Sequence, residues 1–299
     1  MKVRAVLNFG SLNIDKVYQV PHFVRPGETL SSEKFSQYAG GKGLNQSIAL
    51  ARAGVKVFHA GKIGRDGEFL REILIDSNVN TDYLFTSDIP SGHAIIQIDS
   101  NGQNCIILFP GANCAITREE IQETLSAMEQ GSYLLLQNEI NDIPYIMEEA
   151  KKYGLKIAIN PAPCSEAVLA YPLHLADIIF VNEVEAAALA GVEDTPEVML
   201  KKLSEKYPDA EIVMTFGSEG AYYCKGEKIF HTPCFEAKVV DTTSAGDTFG
   251  GYYLSAVLQD YSVEDAMKIA SFASSITVSR HGAAVSIPTA DEVFGQIKL

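Results

Sequence analysis

Long apolar runs and clustered basic residues are both missing from this 299-residue sequence. Apolar stretches such as Ile178–Val181 and Ala186–Ala190 fall far short of the about 20 residues that a membrane-spanning helix requires. Met1–Gly10 alternates apolar and polar residues and lacks the apolar core of an export signal. We therefore predict a cytoplasmic protein with no membrane partner.

Positive charge is scarce, since 24 Lys and Arg face 38 Asp and Glu, for a formal net charge of −14. Binding to a nucleic-acid backbone requires a concentrated basic surface, and no run of Lys and Arg supplies one. We therefore expect no nucleic-acid partner. Binding of an anionic small molecule is still compatible with this charge, because a pocket can bind phosphate through backbone amides and a metal ion.

Cysteine is sparse and irregularly spaced. There are five cysteines and none forms a C-x-x-C pair, so neither a disulfide framework nor a zinc site is expected. The sequence does have ordinary globular composition, 46% apolar and 21% charged, which excludes a disordered, collagen-like or coiled-coil chain. A chain of this length buries roughly three quarters of its unfolded surface.

Short β-rich runs alternate with helical stretches along most of the chain. Strands at Val3–Phe9 and Val57–Ile63 flank a helix at Asn45–Ala53, which ends at Gly54. Later strands are predicted at Tyr133–Leu136, Lys156–Asn160, Ile178–Val181 and Glu211–Thr215, with helices at Pro144–Lys152, Glu183–Ala190 and Pro196–Tyr207. This alternation predicts an α/β fold with a mostly parallel sheet.

Two segments break that alternation. Asp15–Tyr38 and His93–Phe109 have the pattern of alternating strands without a helix between them, and Asn101–Gly102 marks a hairpin turn. We predict a small antiparallel β-sheet that projects from the main domain as a lid or an oligomer contact. No linker or repeat interrupts the chain, so residues 1–299 are expected to form a single domain.

A glycine-rich segment, Gly40–Gly43, precedes Asn45 and Gln46 at a predicted helix start. Its glycines allow backbone amides to approach a ligand, and Lys42 and Asn45 could add hydrogen bonds. A tight strand-to-helix turn explains the glycines equally well. The spacing of a Walker A phosphate-binding loop is absent.

A second cluster, Asp241–Thr248, lies between a strand predicted at Ala237–Val240 and a helix predicted from about Thr248 to Gln259. Small residues before a helix leave several backbone amides pointing at one spot, which makes an anion hole. Asp247 beside that hole could accept a proton from a hydroxyl while the hole stabilises a phosphoryl group. The structural alternative is an aspartate that caps the helix.

Two further clusters follow predicted strands. Thr215–Gly220 contains a threonine hydroxyl and two glycines three residues apart, which suits a triphosphate but also an ordinary turn. Asn182–Glu185 lies at the carboxyl end of a strand, where ligands gather in open α/β sheets. A carboxylate there could order water around Mg²⁺.

Taken in order, these clusters resemble the ribokinase family of carbohydrate kinases, also called the PfkB family. The likeness extends from Asn8 to Pro288, and Asp241–Phe249 matches the most diagnostic signature. The other matching motifs are Gly10–Asp15, Pro26–Thr29, Gly40–Gln46, Asn160–Pro163 and Asn182–Glu185. The resemblance implies a three-layer αβα domain whose β-sheet lid, from about residues 15–38 and 93–109, also serves as a homodimer contact.

The resemblance also implies an activity: ATP-dependent phosphorylation of D-ribose to D-ribose 5-phosphate, with Mg²⁺ and an activating K⁺. Asp247 would be the base, and Ala245 and Gly246 would offer amides to the transferring phosphoryl group. The sugar would be held by Asn13, Asp15, Gly41, Lys42, Asn45 and Glu139. ATP would be held by Asn182, Thr215, Gly217, Ser218, Gly220, Gly246 and Ser271, with Glu185 acting through Mg²⁺. The K⁺ ligands would map to Asp241, Thr243, Thr277, Arg280, Gly282 and Ser286.

Two positions depart from the family pattern: Ser244 stands where many members have Gly, and Gly250 stands where ribokinases often carry Asn. A different acceptor of the phosphoryl group is therefore an alternative, such as deoxyribose, another pentose, fructose or a nucleoside. A sugar-binding regulatory protein without turnover is a further alternative, although the intact Asp247 argues against it. A nicotinamide dehydrogenase is disfavoured because no G-x-G-x-x-G follows the first strand.

Overall fold

The computed structural model describes residues 5–297, in which strands and helices alternate along the chain. The strands are β1 (Val6–Phe9), β2 (Asn13–Gln19), β3 (Lys34–Gly40), β4 (Val57–Gly64), β5 (Asn80–Ser87), β6 (Gly92–Ile98), β7 (Asn104–Phe109), β8 (Tyr133–Gln137), β9 (Lys156–Asn160), β10 (Ile178–Asn182), β11 (Glu211–Thr215), β12 (Ala221–Lys225) and β13 (Lys228–Thr232). The helices are α1 (Lys42–Arg52), α2 (Glu68–Asp76), α3 (Arg118–Ser126), α4 (Ile143–Lys152), α5 (Glu183–Ala190), α6 (Pro196–Lys206), α7 (Ala245–Leu258), α8 (Val263–Val278) and α9 (Ala290–Phe294).

The larger sheet has the order β13-β12-β11-β10-β9-β8-β1-β4-β5. The strands from β11 to β5 pair in parallel, whereas β12 and β13 add an antiparallel edge. Central strands such as β8 are buried along their whole length, because helices cover both faces of the sheet. The predicted α/β fold with a mostly parallel sheet is confirmed.

Two hydrophobic cores lie on opposite faces of this sheet. Apolar side chains of α1, α2, α7, α8 and α9 pack on one face. Those of α3, α4, α5 and α6 pack on the other. The domain therefore has three layers. No helix within residues 5–297 has both the length and the apolar character needed to cross a membrane.

The smaller sheet has the order β3-β2-β6-β7 and is built from the two segments that interrupt the α/β alternation. Its outer pairings are antiparallel as predicted, and the central pairing of β2 with β6 is parallel. The chain turns between β6 and β7 at Asn101–Gly102, where Gly102 has a φ of 76°. Every residue of β7 is exposed, so this sheet projects from the main domain.

Several element boundaries differ from the sequence-based expectations. The first helix begins at Lys42 rather than Asn45, because Gly41 at a φ of 96° turns the chain directly into it. The helix that carries Asp247 begins at Ala245 rather than near Thr248. The strand predicted at Ala237–Val240 is wrong: this segment has no strand partner. Residues 3 and 4 of the first predicted strand lie outside the described residues.

The pair Gly250–Gly251 inside α7 has two different environments. A Cβ added at Gly251 would lie 2.5 Å from the Cβ of Ala49 and 3.2 Å from the backbone nitrogen of Leu50. A Cβ added at Gly250 would meet only the Phe180 ring, at 4.0 Å. Gly251 therefore permits close packing of α7 against α1, whereas Gly250 is not required by the packing.

This contrast predicts opposite effects of the same substitution at neighbouring residues. We expect Gly250→Ala to raise the free energy of unfolding by up to about 1 kcal/mol, because alanine favours a helix interior. Gly251→Ala should lower it by about 1–3 kcal/mol through overpacking against α1. Chemical denaturation of both variants measures the difference. Equal effects at the two positions would contradict this account of the packing.

Candidate active site

The polar groups singled out in the sequence meet at the carboxyl ends of the parallel strands. The chain passes from β1 toward β4 on one side and from β8 toward β9 on the other, so adjacent strands β1 and β8 flank a crevice. Gln137, Asn160, Asn182 and Thr215 are the last residues of β8, β9, β10 and β11. Each apolar strand thus delivers one polar side chain to the same edge of the sheet.

Asn13 and Asp15 enter this crevice from β2 of the small sheet. The Oδ1 atom of Asn13 accepts a hydrogen bond from the Asn113 amide at 2.8 Å, so its own amide group can be directed elsewhere. A Cβ at Gly40 would lie 2.2 Å from Oδ2 of Asp15, and therefore only glycine leaves room for this carboxylate. The position of the Asp15 carboxylate therefore requires glycine at residue 40 of β3.

Two carboxylates, Asp15 and Glu139, share this part of the crevice. Burial, and to a smaller extent the nearby Glu139 carboxylate, raises the pKa of Asp15 to about 6. Burial also raises the pKa of Glu139, although hydrogen bonds from the Ser11 hydroxyl and the Lys42 backbone amide oppose the shift. Buried carboxylates with raised pKa values are typical of functional sites.

The ammonium group of Lys42 lies among acidic groups from different elements. Its pKa is raised chiefly by Asp247, and Glu139 and Glu185 act in the same direction. Lys42 begins α1, Asp247 belongs to α7, and Glu185 belongs to α5. This side chain therefore places one positive charge between the region of Asp15 and Glu139 and the strand ends that carry Asn182.

Asp247 lies in the first turn of α7 and is only 6% exposed. Its carboxylate accepts hydrogen bonds from Asn45 Nδ2 at 3.2 Å and from Gln46 Nε2 at 2.9 Å. Within residues 5–297, Asn45 Oδ1 and Ser244 Oγ are buried without a hydrogen-bond partner. Unpartnered buried oxygens beside a carboxylate indicate that a polar ligand completes this site.

The start of α7 has the geometry of an anion hole. Ser244 caps the helix in the left-handed region at a φ of 62°, and the first intrahelical bond runs from the Thr248 amide to the Ser244 carbonyl. The amides of Gly246 and Asp247 therefore precede the hydrogen-bonded ladder. A Cβ added at Gly246 would have no neighbour within 4 Å, so the chain is open on that side of the helix start.

The residues predicted to hold the nucleotide surround the ends of β10 and β11. Asn182 and Glu185 form a reciprocal capping box at the start of α5, and Asn160 also donates to Glu185 at 3.4 Å. Thr215 ends β11 and is followed by a short 3₁₀ turn, Gly217–Glu219, and by Gly220 at a φ of 107°. Ser271 lies on α8, where its hydroxyl donates to the Pro233 carbonyl at 3.3 Å.

The predicted cation ligands come from two adjacent loops. Asp241 accepts hydrogen bonds from the Thr243 amide at 2.9 Å and from the Gly282 amide at 3.0 Å. The Ser286 hydroxyl turns back to the Ala283 carbonyl, and the Arg280 guanidinium pairs with Glu292. Thr277 lies deeper, where its hydroxyl bonds to that of Thr248. Side chains of Thr277 and Arg280 are thus engaged elsewhere, which leaves their carbonyls as candidate ligands.

Several residues in direct contact with the site were not among the predicted site residues. Gln46 bonds to Asp247, Ser11 bonds to Glu139, and Asn160 bonds to Glu185. All three lie within the motifs already recognised, so their polarity and position were the available signals. Asn8 and Gln137 are polar residues of apolar buried strands, an anomaly that also marks the crevice.

Similarity to known proteins assigns this chain to a class, the phosphotransferases that act on a small-molecule alcohol. Residues 4–290 match the pfkB family of carbohydrate kinases, and the chain belongs to that family. The ribokinase of Haemophilus influenzae is 35% identical over 95% of this chain and 95% of its own length. A crystal structure of ribokinase from Cryptococcus neoformans with ADP has 33% identity and a TM-score of 0.84, covering 98% of this chain and all of its own.

A second solved structure connects the fold to both substrates of such an enzyme. Arabidopsis thaliana ribokinase complexed with ribose and ATP has 28% identity and a TM-score of 0.87, with 98% of each chain covered. The predicted ribokinase-like fold with its small β-sheet is confirmed. The protein is thus an ATP-dependent carbohydrate kinase of the pfkB family.

Proposed function

We propose that this protein transfers the γ-phosphoryl group of ATP to the 5-hydroxyl of D-ribose. The observation that carries the proposal is the position of Asp247. This buried carboxylate is held by Asn45 and Gln46 beside the open amides of α7. Asn13, Asp15 and Glu139 provide acceptors and donors for sugar hydroxyls nearby, and relatives of 35% identity are ribokinases.

In the proposed reaction the 5-hydroxyl oxygen attacks the γ-phosphorus, its proton passes to Asp247, and ADP leaves with the bonding electron pair. The amide of Gly246 would stabilise the charge on the transferring group together with that of Ala245, which in this structure donates to the Thr242 carbonyl at 3.3 Å. Lys42 would bring positive charge to the same place. Asn13, Asp15, Gly41, Lys42, Asn45 and Glu139 would align the sugar. Catalysis then depends on positioning and electrostatics rather than on a covalent enzyme intermediate.

ATP would be bound by Asn182, the turn from Thr215 to Gly220, and Ser271 on α8. Mg²⁺ would neutralise the charge of the phosphates, and Glu185 would reach it through water, which suits a cation that keeps several waters. The loops carrying Asp241 and Gly282 offer a carboxylate and backbone carbonyls, hard oxygen donors that suit K⁺. In residues 5–297 no cluster of three or more His, Cys, Asp or Glu forms a separate metal centre.

The proposal is tested by measuring ATP-to-ADP turnover with Mg²⁺ against ribose, 2-deoxyribose, fructose, adenosine and uridine. We expect a clear preference for ribose. Strong turnover of another acceptor would keep the kinase chemistry but replace the substrate. If no acceptor were turned over while ribose still bound, the result would favour the alternative of a sugar-binding regulatory protein. Replacing K⁺ by tetramethylammonium in the same assay should reduce turnover if the Asp241 site holds a monovalent cation.

The raised pKa of Asp15 predicts a pH-dependent affinity for the sugar. An ionised carboxylate accepts stronger hydrogen bonds from hydroxyl groups than the protonated acid does, and Asp15 is protonated below its pKa of about 6. The KM for ribose should therefore rise as the pH falls through about 6, by up to about tenfold per unit. Steady-state kinetics from pH 5 to 8 measures this. Asp15→Asn should weaken binding at every pH and flatten the profile, and an unchanged profile in that variant would contradict the assignment.

A further inference from the structure

A chain of buried side-chain amides reaches Asp247 from behind the sugar site. Gln46, which is 2% exposed, donates from Nε2 to Asp247 Oδ1 at 2.9 Å. Gln137, which is 1% exposed, donates to Gln46 Oε1 at 2.7 Å and to Asn8 Oδ1 at 2.8 Å. Asn8 in turn donates to the Gly43 carbonyl at 2.7 Å.

Both ends of this chain require the same orientation of the amides. An ionised carboxylate can only accept, so Gln46 must present its amide nitrogen to Asp247 and its oxygen to Gln137. The Gly43 carbonyl can also only accept, so Asn8 must present its nitrogen there and its oxygen to Gln137. Gln137 therefore donates both of its amide hydrogens. The orientation of the Gln46 amide is therefore determined independently from each end of the chain, by Asp247 and by the Gly43 carbonyl.

The Gln46 donor acts on a carboxylate that lies in a charged environment. Lys42 of α1 and Glu139, which follows β8, are charged groups that interact with Asp247. A hydrogen bond donated to a carboxylate fixes the plane in which its remaining lone pairs point.

We propose that Gln46 is a positioning residue that holds the Asp247 carboxylate in the orientation needed for proton transfer, and that Gln137 fixes the direction in which Gln46 donates. Gln46 acts through Asp247, since its amide bonds to Asp247, Gln137 and Asn160. This inference rests on the proposed role of Asp247 as the base.

The test compares two substitutions of similar shape, Gln46→Glu and Gln46→Met, through the pH dependence of kcat. Both should lower kcat at neutral pH by about 10- to 100-fold, the effect of losing a hydrogen bond to a charged group, with KM for ribose changed by less than about threefold. Gln46→Glu alone should move the acid limb of the profile to higher pH by about one unit or more, because a second carboxylate opposes ionisation.

Gln122→Glu is the matched control, since Gln122 on α3 also donates from Nε2 to a carboxylate, Glu149, at 2.8 Å. It should leave the acid limb in place. If the Gln46 variants do not fold, Gln137→Met provides the same readout, with kcat lowered about 3- to 10-fold at constant KM.

A wild-type pH profile and kcat in these variants would overturn the proposal. Failure of the base assignment itself is distinguishable, because Asp247→Asn would then retain turnover whatever the Gln46 variants do.

Discussion

Asp247→Asn should lower turnover by roughly 10²- to 10⁴-fold while ATP and ribose bind with near wild-type affinity. The substitution keeps the size of the side chain and removes its capacity to take the proton. Asn45 and Gln46 donate to different oxygens of Asp247, so one of these two hydrogen bonds can persist on the amide oxygen of the variant. Single-turnover kinetics measures the chemical step, and calorimetric titration measures binding of each substrate.

Asp265→Asn is the matched control for this variant. Asp265 occupies the same third position of a long helix, α8, where it bonds to the capping residue Ser262. It lies outside the crevice, so turnover should be unchanged even if stability falls slightly. Normal turnover in Asp247→Asn would refute the base assignment, and loss of sugar binding in that variant would reassign Asp247 to substrate binding.

The family resemblance predicts a homodimer through the lid, and a charged double substitution there, Ile106→Asp with Ile107→Asp, should then give monomers. Both residues belong to the edge strand β7, where their side chains are 53% and 60% exposed on opposite faces of the small sheet. Leu108 and Phe109 extend the same apolar strand at 54% and 43% exposure. An exposed apolar edge of this kind requires cover, and the proposed dimer would supply it from a second copy of the lid.

Sedimentation velocity measures the expected change from the mass of two chains to that of one. Ile75→Asp on α2 is the control, because Ile75 is also 53% exposed but lies away from the lid. The monomeric variant should also show a raised KM for ribose if the paired lids cover the sugar site. A wild-type protein that sediments as one chain, or a double variant that stays dimeric, would refute this interface.

The local pattern predicted most elements of the main domain because their signals are short-range. Glu183–Ala190 was predicted to the residue, since its capping box and its αL glycine both lie within a few positions of the helix. The start of α7 was placed about three residues late. Ser244 begins that helix from a left-handed conformation, which a non-glycine residue adopts rarely, and the pattern therefore had no signal for it.

The erroneous strand at Ala237–Val240 shows the limit of such patterns. Val239 and Val240 favour a strand by their β-branched shape, yet they are 64% and 39% exposed. The amides of Val240 and Asp241 instead bond to the Val278 carbonyl at the end of α8. Whether an apolar pair joins a sheet depends on a neighbouring strand, and that neighbour is decided by the chain far away in sequence.

The sequence by itself determined the α/β architecture, the family, and the residue types gathered at the crevice, because each rests on local periodicity or on an ordered set of short motifs. Only the tertiary structure decided how those motifs meet. Gln46 and Asp247 are 201 residues apart, and Ser11 and Glu139 are 128 apart, yet both pairs are hydrogen-bonded. Such contacts follow from strand order and helix packing, where long-range burial, not local preference, selects the partner.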